Sequence, residues 1–168
     1  MCADTIRYDF ASDNTAAICP EAWIALEKAN TNHAPAYGDD EWTAEACGRV
    51  REIFEVDCDV YFVFTGTAAN ALGLSQVCQP FHGVICHEHA HIQTDEAGAT
   101  EFYTRGARLF LTKTRNGTVD LGEVEELVAQ QVALHGQMMR AISTAQAPAL
   151  GTVDTRDGVW GIGGLTGP

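Results

Sequence analysis

Residues 60–74 have the sequence VYFVFTGTAANALGL, in which a short apolar run is followed directly by small residues. The run Val60–Phe64 is β-branched and aromatic, which predicts a buried strand, and residues 68–74 are typical of a helix. A strand that turns through Thr65-Gly66-Thr67 into a helix presents free backbone N–H groups and a positive dipole end, and this geometry binds phosphate. Gly66 lets the backbone approach an anion closely, while Thr65 and Thr67 offer hydroxyl groups.

On its own, this stretch does not establish a phosphate site. It lacks the Gly-Lys-Ser/Thr of a P-loop and the spaced glycines of a dinucleotide-binding turn. A tight strand-to-helix turn with small residues for packing explains it equally well. The choice between the two interpretations depends on the motifs in the rest of the chain.

Composition indicates one domain and excludes some classes of partner. The chain has 168 residues, of which 46% are hydrophobic, enough for one core. It has 23 acidic residues against 10 basic ones, a formal net charge of −13. Because nucleic acids and anionic membranes are negatively charged, this balance argues against both as partners.

The cysteines and the N-terminus favour a cytoplasmic protein. The six cysteines are scattered, with no CxxC pair. The first residues have no apolar segment typical of a signal peptide, and no window reaches the length of a membrane span. We therefore expect reduced thiols that serve mostly as small core residues, with neither disulfides nor cysteine-bound metal.

Apolar periodicity predicts alternating helices and strands. Helices are expected at about 21–30, 41–54 and 121–133, the last capped by Asp120 with Glu123 three residues on. Strands are expected at 83–87, 108–112 and 140–146, beside the one at 60–64. This alternation predicts an α/β fold with a largely parallel sheet. We expect one domain over residues 1–153 and a glycine-rich irregular tail over 154–168.

Three closely spaced histidines, His87, His89 and His91, are the best candidates for chemistry. On a single strand, the two-residue period would place all three on one face, as in a metal site. Against a metal site, the spacing is not His-Glu-x-x-His, and no second group of ligands stands at a known distance. One functional histidine among structural ones is favoured, and metal binding remains the alternative.

Taken in order, the motifs resemble the threonine aldolase family of pyridoxal-phosphate enzymes of fold type I. The resemblance covers about residues 8–156 and rests on these segments: 12–15 (SDNT), 20–21 (PE), 37–40 (YGDD), Phe54, 62–70 with its GTAAN, 90–91 (AH), 96–98 (EAG), 116–117 (NG), the helix after Asp120, and 151–153 (GTV). It implies the N-terminal part of the large domain of this fold, a mostly parallel sheet with flanking helices, truncated on its C-terminal side.

The resemblance also implies roles for individual residues. Thr65, Gly66 and Thr67 would hold the phosphate of pyridoxal 5′-phosphate. His91 would stack on the cofactor ring near the substrate hydroxyl, where it could orient a water or help to remove that proton. Glu96 would support this region by hydrogen bonding.

Two further residues are implied to contact the substrate. Ser12 would bind its carboxylate, and Tyr37 would line the site near a subunit boundary, since the family forms homotetramers with shared sites. The implied reaction is retro-aldol cleavage of threonine or a related β-hydroxy-α-amino acid to glycine and an aldehyde, with the cofactor as electron sink.

The sequence departs from the family in what it lacks. The family's Schiff-base lysine, its acid against the ring nitrogen and its arginine are not matched, and the only lysines here are Lys28 and Lys113. Three interpretations remain open: the N-terminal half of a threonine aldolase, one chain of a split enzyme, or a decayed relative that acts as an interaction module. The glycine-rich tail favours the first. We expect the isolated chain to be inactive as an aldolase, and marginally soluble because a half-built sheet exposes an edge strand.

Overall fold

The structure, a computed structural model, describes residues 15–114, 117–131 and 136–145. The chain divides into two compact units, Met1–Tyr61 and Phe62–Pro168. The expected boundary at residue 153 and the tail over 154–168 lie outside the described residues, so both stay predictions.

The described part of the first unit contains two helices, both predicted from the sequence. Helix α1 spans Pro20–Ala29 and has its proline in the first turn, where a missing N–H costs nothing. Helix α2 spans Glu41–Phe54. Its N-cap, Asp40, accepts hydrogen bonds from the backbone N–H of Thr43 (2.9 Å) and from its hydroxyl (2.8 Å). These two bonds, the backbone one foremost, hold the pKa of Asp40 below its usual value.

The second unit alternates helices with three strands. In chain order its elements are α3 (Gly66–Val77), β1 (His82–His87), α4 (His91–Thr94), α5 (Ala99–Tyr103), β2 (Arg108–Thr112), α6 (Leu121–Gln131) and β3 (Met138–Ser143). The sheet has the order β2-β1-β3, and β1 is parallel to both neighbours. The parallel α/β arrangement was predicted from the alternation of apolar runs.

Strand β1 forms the centre of the core, and all six of its residues are buried. Because side chains alternate along a strand, β1 contributes to both faces of the sheet. Val84 and Cys86 pack on one face with Cys78 and Ile92, whereas Ile85 packs on the other with residues of α6. Both faces of the sheet are thus covered.

Gly83 in β1 sits where its neighbours approach the backbone closely. A Cβ added at this position would lie 2.6 Å from the sulfur of Met139 and 2.8 Å from the ring of Phe110. These side chains belong to the strands on either side, β3 and β2. A glycine is therefore required here by packing.

The expectation of a strand at Val60–Phe64 is wrong for this structure. The segment is in no strand, and Phe64 is fully exposed. A strand needs a hydrogen-bonded neighbour, and this segment pairs with none of β1, β2 and β3. The central strand is β1, and the run that best fits a buried strand by composition lies outside the sheet.

Other boundaries agree with the sequence to within a few residues. Strand β2 has its predicted limits, and β3 starts two residues before the expected position 140. The predicted N-cap of α6 is confirmed, since Asp120 Oδ1 accepts a hydrogen bond from the backbone N–H of Glu123 (3.0 Å). The Glu123 carboxylate instead accepts from the backbone N–H of Lys113 (2.6 Å), which attaches the start of α6 to the end of β2.

None of the helices in the described ranges is long and apolar enough to cross a membrane. Cys78 and Cys86 are buried as expected, whereas Cys19 is exposed.

Candidate functional site

The N-terminus of α3 is built by the turn that the sequence singled out. Thr65 is extended and caps the helix, its hydroxyl accepting from the backbone N–H of Ala68 (3.2 Å). The carbonyl of Thr65 accepts from the N–H of Ala69 (3.1 Å). The N–H groups of Gly66 and Thr67 precede these donors, and helix geometry gives them no intrahelical acceptor.

The space at this helix end is open. A Cβ added to Gly66 would meet no atom within 4 Å. An anion can therefore approach the backbone of Gly66 without displacing protein atoms, and it would meet the positive dipole end of the helix. The residues present fit a phosphate group.

His91 lies at the start of α4, just after the turn that ends β1. Its Nδ1 is 2.8 Å from Oε1 of Glu96. The side chain of Glu96 is fully buried, whereas that of His91 is 62% exposed. A carboxylate oxygen accepts a hydrogen bond from this ring in the tautomer that carries its proton on Nδ1, and that tautomer leaves Nε2 as an acceptor. The ring is held on one side and accessible on the other.

Asn70 joins this pair to α3. Its side-chain Nδ2 donates to the same Glu96 Oε1 at 2.7 Å. Asn70 lies four residues after Gly66, one turn along the helix that offers the anion site. The second oxygen, Glu96 Oε2, is buried and has no hydrogen-bond partner among the described residues.

The backbone after Glu96 takes an unusual conformation. Ala97 (φ 50°) and Gly98 (φ 75°) are both left-handed. A left-handed alanine is strained, and such strain persists only where the surroundings impose it. This turn separates α4 from α5 and includes the Glu-Ala-Gly segment of the family resemblance.

The other two histidines differ from His91 in their surroundings. His87 is buried, and its Nδ1 accepts from the backbone N–H of His89 (3.0 Å). Its Nε2 lies within hydrogen-bonding distance of both polar backbone atoms of Thr114, 2.9 Å from the carbonyl oxygen and 3.2 Å from the nitrogen, and the tautomer of the ring decides which of these bonds forms. His87 therefore fastens the turn after β1 to the segment after β2. His89 is exposed.

The condition on which the metal alternative depended is not met, because the three histidines do not share a strand. Strand β1 ends at His87, His89 lies in a turn, and His91 opens α4. Within residues 15–114, 117–131 and 136–145, no three His, Cys, Asp or Glu side chains are grouped as they would be around a metal ion.

A small pocket lies where β1 and β3 end. It is lined by residues of the turn after β1, of the segment before α6 and of the end of β3: His87, Ala90, Gly117, Thr118, Val119, Ser143, Thr144 and Ala145. Ligands of α/β proteins bind at the carboxyl ends of parallel strands. Ser143 and Thr144 were not among the predicted site residues, although they lie within the strand predicted at 140–146, near its end.

Two predicted substrate residues are not placed in this site. Ser12 lies outside the described residues. Tyr37 belongs to the first unit, where it has a left-handed backbone (φ 64°) and a fully exposed side chain. The roles given to both stay predictions.

The buried thiols near the site are unsuited to act as nucleophiles. Burial raises the pKa of Cys86 to about 12, and the negative charge of Glu101 adds to the shift. Burial also raises the pKa of Cys78. Since the thiolate is the reactive form of cysteine, both groups are inert near neutral pH.

Comparisons with known proteins show the family to which the chain belongs. The family model described as beta-eliminating lyase matches residues 9–160. The low specificity L-threonine aldolases of a Pseudomonas species and of Pseudomonas aeruginosa are 47% and 46% identical to the chain over 144 residues. These alignments cover 86% of this chain but 42% of each relative. The chain thus spans less than half the length of the curated relatives that it matches.

A solved structure shows the same fold. The threonine aldolase of Leishmania major superposes with a TM-score of 0.84 at 24% sequence identity, covering 94% of this chain and 46% of that one. The predicted fold type I architecture is thereby confirmed, as is the resemblance to threonine aldolases. With a family model that matches nearly all of its length, the chain belongs to the beta-eliminating lyase family.

Proposed function

We propose that this chain supplies the phosphate-binding and imidazole part of a pyridoxal-phosphate site that cleaves threonine and related β-hydroxy-α-amino acids to glycine and an aldehyde. The observation that carries the proposal is the His91–Glu96 pair, an accessible imidazole held by a buried carboxylate. The hydrogen bond from Asn70 attaches this pair to the helix whose N-terminus fits a phosphate. The names of the Pseudomonas relatives support the choice of substrate class.

The residues at the start of α3 would hold the cofactor. The N–H groups of Gly66 and Thr67 and the hydroxyls of Thr65 and Thr67 would bind its phosphate. When bound, pyridoxal phosphate supplies an electron sink for the electron pair released as the substrate's Cα–Cβ bond breaks. Its ring would contact His91.

His91 would act on the substrate's β-hydroxyl. With its proton on Nδ1, the ring presents the Nε2 lone pair, which can accept the hydroxyl proton directly or through a water. Glu96 would orient the ring and stabilise the positive charge that it gains. Ser12 would bind the substrate carboxylate and Tyr37 would line the site, as the family resemblance implies.

The 168 residues alone are proposed to lack aldolase activity. Of the two lysines in the sequence, Lys28 is in α1, and Lys113 follows β2. Neither matches the family's Schiff-base lysine. The pure chain, given pyridoxal phosphate and threonine, is expected to release no glycine, and measurable release would contradict this proposal.

The activity itself is tested in a chimera. Residues 9–160 of this chain replace the matching region of the Pseudomonas L-threonine aldolase, and glycine release from threonine is measured. We expect an active chimera in which His91→Asn lowers kcat by about 10²- to 10⁴-fold, the usual contribution of a general base.

His89→Asn is the matched control, because His89 is exposed and lies two residues from His91. It is expected to leave kcat within about twofold of the parent, since the substitution removes no group placed in the site. A folded chimera without activity, or equal losses in the two variants, would contradict the function proposed for His91.

A further inference from the structure

We infer that Asn70 is a positioning residue that fixes the tautomer and orientation of His91 through Glu96. The hydrogen-bond chain runs from Asn70 Nδ2 to Glu96 Oε1 (2.7 Å) and from the same oxygen to His91 Nδ1 (2.8 Å). The importance of these two hydrogen bonds for catalysis rests on the proposed function. The hydrogen bonds themselves are seen in the structure whatever the function is.

Glu96 depends on these two donors. Its side chain is fully buried, and its other oxygen, Oε2, has no partner among the described residues. A buried carboxylate is stable only when hydrogen bonds replace the water that it has lost. The hydrogen bonds from Asn70 and His91 both reach Oε1, so losing either donor leaves the other to hold the group alone.

Asn70 is held more rigidly by its surroundings than His91. Asn70 is fixed to the second turn of α3, a helix of 12 residues. His91 is on α4, which has four residues, and its side chain is mostly exposed. Asn70 is therefore the anchor of the carboxylate, and the carboxylate in turn orients the ring. Without Asn70, Glu96 can rotate about its side-chain bonds and His91 loses a fixed acceptor.

This arrangement links the proposed phosphate-binding groups at the start of α3 to the imidazole of His91. The N–H groups proposed for the phosphate and the amide of Asn70 lie on one helix, about 6 Å apart along its axis at 1.5 Å per residue. A rigid helix thus sets the distance between the anion and the imidazole. Sub-ångström placement of this kind is what positions a reacting group against a bound cofactor.

The test is nuclear magnetic resonance of the full 168-residue chain labelled with ¹⁵N-histidine. Spectra are recorded at about pH 9, where imidazoles are neutral, and long-range ¹H–¹⁵N correlations identify the tautomer of each ring. His91→Gln assigns the His91 signals among the six histidines. We expect His91 in the Nδ1–H form.

Asn70→Ala is expected to lower the ratio of Nδ1–H to Nε2–H tautomer at His91 about fivefold, the effect of one net hydrogen bond. Asn70→Asp keeps the shape but places a second carboxylate against Glu96, and we expect a loss at least as large. Because Asn70 is exposed, neither substitution removes core packing, and thermal melts should show both variants folded.

Gln76→Ala is the matched control, since it removes another exposed amide from the same helix. It should leave the tautomer ratio unchanged. An unchanged ratio in folded Asn70→Ala, or an equal change in Gln76→Ala, would overturn the inference. A further readout is the chimera, in which Asn70→Ala should lower kcat more than it raises KM.

Failure of this inference can be told from failure of the proposed function. If the tautomer shifts in Asn70→Ala but the parent chimera has no aldolase activity, Asn70 positions His91 and the function proposed is wrong. If the chimera is active and the tautomer does not shift, the function stands and the role of Asn70 is wrong.

Discussion

Near the end of β1, the degree of burial distinguishes side chains that can meet a ligand from side chains that cannot react. Cys86 is completely buried, and its pKa of about 12 keeps the thiol protonated. His91, five residues later, is mostly exposed yet held at Nδ1 by Glu96. The turn between them is fastened by His87, which bonds to backbone groups at both ring nitrogens. At this scale, the available chemistry belongs to His91.

The raised pKa of Cys86 predicts a loss of stability at alkaline pH. The folded state holds the thiol proton up to about pH 12, whereas an unfolded cysteine releases it near its ordinary value of 9.0. Between these values the native state binds more protons, so the free energy of unfolding falls as pH rises. Below the unfolded value this contribution is constant.

Urea unfolding at a series of pH values checks this prediction. Cys86→Ala removes the titrating group and should flatten the decline above about pH 9, near the pKa of an unfolded thiol. Cys19→Ala removes an exposed thiol and should leave the decline as it is. Equal slopes in the parent and Cys86→Ala would contradict the assignment.

Which site residues could be predicted depended on whether they lie in a local motif. Thr65, Gly66 and Thr67 form a turn whose chemistry follows from three adjacent residues, and the structure places this turn at the N-terminus of α3. Their binding of a phosphate stays a prediction. Asn70 acquires its partner 26 residues away, through packing of α3 against α5. A contact of this kind depends on tertiary structure and leaves no local pattern.

At the scale of elements, the close packing around Gly83 makes it the most sensitive position of β1. A Cβ there would fall within 3 Å of both the Met139 sulfur and the Phe110 ring. Methionine can move, but the half-buried ring of Phe110 has less freedom. We expect Gly83→Ala to destabilise the fold by about 1–3 kcal/mol, the usual cost of overpacking.

Gly73→Ala is the control, because a Cβ at Gly73 meets nothing within 4 Å and the residue is inside α3. It should stabilise the fold by about 0.5–1 kcal/mol, since alanine is the better helix former. Chemical denaturation of both variants measures the two effects. A Gly83→Ala variant as stable as the parent would show that the strands can separate at no cost.

The strand prediction at Val60–Phe64 shows where periodicity and composition fall short. Apolar, β-branched residues indicate that a segment prefers burial in a sheet, but a strand also needs a neighbour with free hydrogen-bonding groups. Within the described residues the segment pairs with none of the three strands, and it has no regular secondary structure. The helices at 41–54 and after Thr65 were predictable because a helix satisfies its hydrogen bonds locally.

For the whole molecule, exposed apolar side chains are the feature that most favours self-association. Phe62 and Phe64 are 62% and 101% exposed, and they adjoin the turn into α3. Contiguous apolar surface of this kind promotes association. The excess of acidic residues opposes association by charge repulsion, but only over about a Debye length.

We therefore expect Phe62→Ser with Phe64→Ser to reduce self-association of the chain without lowering its melting temperature. Both side chains are exposed, so the substitutions remove little packing. Light scattering and thermal melts of the pair variant and the parent measure the two effects. Leu109→Ser, in β2, is the contrasting control and should lower the melting temperature because Leu109 packs against the core. Unchanged scattering in the pair variant would show that other surfaces drive association.

The central claim is that the N-terminus of α3 binds the phosphate of a pyridoxal-type cofactor. Its most direct test is a titration with pyridoxamine 5′-phosphate, which has no aldehyde to react with surface lysines. The titration is monitored by the chemical shifts of the backbone amides of the protein. We predict saturable shifts at Gly66, Thr67 and His91.

Gly66→Ala places a methyl group in the open space and should weaken binding about tenfold or more, the effect of losing a charge-assisted hydrogen bond. Gly73→Ala, equally free of clashes, should bind like the parent. Equal binding by all three proteins, or shifts confined to other residues, would contradict the claim.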